Sequence, residues 1–157
     1  MLDFLKNSLL RGKNLFNKKP KKINDFKSIE IITCSLFIEA AKSDFMISEE
    51  EKSTIKKILK KTFSLSDAQV LELFNISQER VEKSIGLFEF TDTLNKSLTD
   101  NEKFELMKNL WRILFADEKL SKYEEHLARI INNNLNLSHK DFIASKLIVK
   151  KDLGIGT

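Results

Sequence analysis

The chain has 157 residues, 41% of them hydrophobic and 32% charged, with one cysteine, one proline and four glycines. That length suits a single domain able to bury roughly two thirds of its unfolded surface, and so few breakers exclude a turn-rich fold. The net charge of +4 is unevenly placed: residues 1–25 hold seven basic against two acidic side chains, a balance of +5, which leaves residues 26–157 at −1 and excludes a generally basic nucleic-acid-binding fold.

Residues 2–16 read as a basic amphipathic helix, with Leu2, Leu5, Leu9 and Phe16 along one stripe and Lys6, Arg11 and Lys13 interspersed. Lys6, Arg11 and Lys13 interrupt the apolar core that a signal peptide needs. Residues 17–25, centred on Pro20, form a basic linker, so 1–25 is expected to be an appendage, 26–150 the domain and 151–157 a tail.

From Phe26 onward the spacing predicts helix after helix. Residues 26–43 carry Ile31, Cys34, Ile38 and Ala41 on one face; 48–61 carry Ile55, Ile58 and Leu59; 66–76 carry Val70, Leu73 and Phe74. A helix over 79–97 would present Val81, Ile85, Phe88 and Leu94, with Gly86 as an internal weak point. Residues 100–115 carry Leu106, Leu110 and Ile113, widened by Met107, Trp111 and Leu114. Residues 121–135 follow with Leu127, Ile130 and Ile131, and 138–150 with Phe142, Ile143 and Leu147. No segment alternates with period two, so the expected class is all-α, a single-domain bundle of about seven helices. Four capping-box patterns mark helix starts, namely Ser48 with Glu51, Ser66 with Gln69, Thr99 with Glu102 and Ser121 with Glu124.

Two of these starts share more than a cap. Asp44 to Glu51 and Asp117 to Glu124 both read Asp-x-x-apolar-Ser-x-x-Glu, each after one apolar helix and before another that ends in Leu-Ser, at Leu65-Ser66 and Leu137-Ser138. The unit is therefore duplicated, and a pseudo-twofold arrangement would bring the two acidic loops together.

These stretches, and above all 106–129 with Trp111, Ala116, Asp117, Glu124, Leu127 and Arg129, resemble the signatures of the tellurite-resistance TerB-like family over about residues 26–150. The resemblance implies a helical bundle of about seven helices in bacterial proteins linked to tellurite and other chemical stress, and acidic residues proposed to bind metal ions. The family's pattern has glycine after each Asp, where this chain has Phe45 and Glu118.

Asp44, Glu51, Asp117 and Glu124 thus have two readings. As structural groups they cap helices and accept loop N–H bonds. As metal ligands they pool around a hard divalent cation, Ca²⁺, Mg²⁺ or Mn²⁺, which demands oxygens from both loops or from water. His126 and His139 have no Cys beside them, so a zinc site is not expected. Neither a Gly-x-Ser-x-Gly elbow nor a glycine-rich phosphate loop occurs, and an enzyme is not expected. The lone Cys34 falls in an apolar run and reads as core in a reducing, cytoplasmic compartment. The expected function is a non-enzymatic, stress-associated interaction module with a protein partner. The alternative is a peripheral adaptor at the inner face of an anionic membrane, acting through residues 1–25. No cofactor beyond the divalent cation and no nucleic-acid partner are expected.

Overall fold

A computed structural model describes residues 26–42, 46–117 and 120–155; the helix and membrane-surface expectations for residues 1–25 lie outside them. Among the described residues there are seven helices and no strand: α1 Ser28–Ala41, α2 Glu49–Phe63, α3 Asp67–Glu82, α4 Leu87–Ser97, α5 Asp100–Leu114, α6 Lys122–Asn134 and α7 His139–Asp152.

The helix starts follow from local chemistry. At Ser48, Ser66, Thr99 and Ser121 the hydroxyl accepts the N–H three residues on, while the Glu or Gln side chain there accepts the N–H of the cap. A fifth box, Ser138 with Asp141, has the same reciprocal bonds at 3.0 and 3.3 Å. It lacks the Glu or Gln of the usual pattern, but the shorter Asp carboxylate reaches too. At α1, Glu30 accepts the Lys27 N–H at 2.8 Å.

The Leu-Ser endings also have a common cause. Ser64 and Asn136 sit at φ 55° and 59°, in the left-handed region, and the next N–H reaches back to a carbonyl five residues earlier: Leu65 to Lys60 and Leu137 to Asn132, both at 3.1 Å. This is a Schellman stop whose apolar residue, Leu65 or Leu137, tucks into the core before Ser caps the next helix. Left-handed backbone costs an L-residue about 1 kcal/mol, less for Asn. Ser64 is exposed, so Ser64→Gly is expected to stabilise the protein by about 0.5–1 kcal/mol and Asn136→Gly by less, read as urea midpoints.

One expectation is corrected. The single helix over 79–97 is two helices, because α3 continues to Glu82 and Gly86 takes φ 144° just before α4. Few L-residues adopt that backbone, so glycine here is the corner and not a weak point within a helix. Ser84 donates to the Val81 carbonyl at 2.9 Å and Arg80 pairs with Glu89 across the turn. Val81 therefore belongs to α3, and Ile85 and Phe88, expected inside, are 98% and 69% exposed.

At the centre lie α1 and α5. In α5 every residue from Glu105 to Trp111 is buried, and in α1 everything from Ile32 to Ile38 is. Helix α1, apolar on most of its faces, belongs inside a bundle, and in α5 the buried Glu105 and Lys108 pair at 3.0 Å. Helix α1 packs on α2 and α3 as α5 packs on α6 and α7; α2 crosses to α5 as α6 crosses to α1; and α1 meets α5. Exchanging the two halves leaves this pattern unchanged, as a pseudo-twofold axis requires. Helix α4, inserted between the units, covers α1 and α6.

Trp111 fixes the second unit to its third helix. It is fully buried, its Nε1–H donates to Ser145 Oγ at 3.1 Å, and its ring lies 5.7 Å from Phe115 and 5.2 Å from Phe142. In α7 the buried side is Phe142, Ser145 and Val149. Ile143 and Leu147, placed inside by the sequence reading, are 39% and 57% exposed.

Candidate functional site

The site grows from two equivalent helix starts. Ser48 Oγ accepts the Glu51 N–H and Glu51 Oε1 accepts the Ser48 N–H, both at 3.1 Å. Ser121 and Glu124 repeat this at 3.0 and 3.1 Å. Both glutamates are only 3% exposed. Each box consumes one carboxylate oxygen, and the second of Glu51, Oε2, is buried without a hydrogen-bond partner. Glu51 and Glu124 are thus helix caps in their geometry, and capping leaves one buried oxygen unexplained.

The acids of the two units act on one another electrostatically. Burial is the main cause that pushes the Glu51 carboxyl up to about 7, and the negative charges of Glu124 and Asp117, from the other unit, push it further. The bonds from Ser48 act in the opposite sense and do not compensate. The pseudo-twofold axis is what brings an acid of residues 44–51 under the influence of acids of residues 117–124, which no local pattern could do. Asp117 lies half-buried in the turn after α5. Asp44, the fourth expected ligand, lies outside the described residues, as do Phe45 and Glu118 at the family's glycine positions. Among the described residues no three carboxylate, imidazole or thiol groups converge closely enough to hold an ion by themselves.

Other reactive groups are placed elsewhere. Cys34 is fully buried, and burial pushes its thiol up to about 12, so it is core and not a nucleophile. His126 is exposed, and the exposed His139 stacks on Phe142 at 6.1 Å.

An all-helical domain with duplicated helix–acidic loop–helix units defines a class of protein, and the comparison with known families agrees with it. The family model described as tellurite resistance protein TerB matches residues 30–147. The chain belongs to that family. No curated protein and no solved structure gives a match.

Proposed function

We propose that the protein is a non-enzymatic interaction module of the tellurite-resistance type, serving a stress response, whose paired acidic loops take a divalent cation. What carries the cation reading is the buried, unpartnered Oε2 of Glu51 beside the charges of Glu124 and Asp117. A buried carboxylate facing like charges is costly as it stands, and a cation or a proton relieves it. Glu51, Asp117 and Glu124 do not close around an ion by themselves, so they would share it with bound water and with Asp44, the fourth ligand in the sequence pattern. Few carboxylates are available, so a small ion that keeps several of its waters, Mg²⁺ or Mn²⁺, suits the loops better than Ca²⁺ with its ~6–8 oxygens.

The test is a set of thermal melts at pH 7.5 in EDTA and in millimolar Mg²⁺, Mn²⁺ or Ca²⁺. An ion at ten times its Kd is expected to stabilise the wild type by about 1.4 kcal/mol through mass action. Glu51→Gln and Glu124→Gln are expected to lose that gain. Wild-type melts that coincide in every condition would leave capping as the only role of these glutamates.

A further inference from the structure

The third helix of each unit turns a partly apolar face to solvent, and the two faces are related by the duplication. In the frame that sets Leu65-Ser66 on Leu137-Ser138, Leu71 corresponds to Ile143 and Ile76 to Ile148. Leu71 is 51% exposed, Ile143 and Ile148 are each 39% exposed, and Leu147 adds to the second face. On α3 the residues Ala68, Leu71, Glu72, Asn75, Ile76 and Glu79 line one shallow groove along a single side of the helix.

The charges beside these apolar residues are opposite in sign. Helix α3 flanks them with Glu72 and Glu79, while α7 flanks its own with Lys140 and Lys151, Lys151 standing at the position equivalent to Glu79 and Lys140 at that of Ala68. Among the described residues none of these four charges has an ion-pair partner. The other charges on the two helices are largely engaged: Asp67 with Lys60, Arg80 with Glu89, Lys146 with Glu125 and Asp152 with Arg112. An acidic apolar stripe and a basic apolar stripe on equivalent helices are therefore present on one molecule.

We propose that this protein associates with further copies of itself head to tail, the α3 stripe of one copy docking on the α7 stripe of the next. Because the two surfaces differ, the contact is heterologous and extends into short chains or closes into a ring. One helix laid on another falls short of the ~1,000 Å² of a stable interface, so the association is weak, reversible and dependent on concentration. Its charged margins make it sensitive to salt.

Sedimentation velocity of the full chain from about 10 to 500 µM, in about 0.05 and 0.5 M salt, tests this. The expected result is a weight-average mass that rises with concentration and falls with salt. Glu72→Lys with Glu79→Lys, and separately Lys140→Glu with Lys151→Glu, are each expected to weaken association at least about tenfold, since like charges then face each other. Mixing the two double variants one to one is expected to restore it, because each then offers the stripe the other lacks. That restoration also shows that both variants are folded. A monomer throughout the range overturns the proposal. Association that neither double variant changes overturns it too, and would place the contact on another surface, such as the basic segment 1–25.

Discussion

Glu51→Gln is expected to make the protein more stable at pH 8 and to leave it nearly unchanged at pH 4. The Glu51 carboxyl titrates at about 7 in the folded protein, against 4.5 for an ordinary glutamate, because it is buried and faces Glu124 and Asp117. Its folded pKa is raised, so the sign is fixed. Below about 4.5 both states hold the proton and the residue has no pH-dependent effect. Between about 4.5 and 7 the unfolded chain releases the proton while the folded one keeps it, so stability falls as pH rises. Above 7 the full cost stands, on the order of 1–3 kcal/mol. Glutamine removes that cost and keeps the cap, since Gln69 already accepts the Ser66 N–H at 2.8 Å in the same role. Urea titrations in EDTA at pH 4, 6 and 8 check this, with the wild-type slope over 4.5–7 expected to flatten in the variant. A variant less stable than wild type at pH 8 would mean that the ionised carboxylate has a favourable partner. A cation bound as proposed competes with the same proton, so its stabilisation of the wild type should grow from pH 6 to pH 8.

Trp111→Ala is expected to cost about 3–5 kcal/mol, enough to unfold much of a domain whose total stability is typically about 5–15 kcal/mol. Trp111 joins α5 to α7 through the Ser145 bond and the Phe142 ring, and Phe115 closes the other side. Trp111→Phe keeps most of the ring packing and loses only the indole donor and some volume. Its expected cost is about 1–2 kcal/mol, because Ser145 Oγ still donates to the Phe142 carbonyl at 3.0 Å. Trp111 is the single tryptophan, so both variants are followed by helical circular dichroism in urea and not by fluorescence. Equal costs for the two substitutions would show that the hydrogen bond, and not the packing, holds α7 in place.

The sequence by itself determined everything that depends on a few neighbouring residues. Helix starts were legible at Ser48, Ser66, Thr99 and Ser121 because a cap is a bond between residues three apart. The repeat of Leu-Ser endings was legible too, and its cause, a left-handed residue followed by a buried leucine, is equally local. The resemblance resting on residues 106–129 pointed to the family that the match over 30–147 establishes. Only the tertiary structure decided which face of a helix is inside when apolar residues lie on several faces. In α7 both Phe142 and Ile143 qualify by spacing, and contact with α5 chooses Phe142. The break at Gly86 was hidden for a related reason: apolar periodicity runs through the corner, while Ile85 and Phe88 face solvent. The acidic site lies furthest from anything local. Pattern showed Glu51 and Glu124 as caps, but their burial, and the charge of one unit acting on the other, arise only when the pseudo-twofold packing of α1, α2, α5 and α6 brings positions 73 residues apart together, because electrostatic repulsion depends on distance in space and not along the chain.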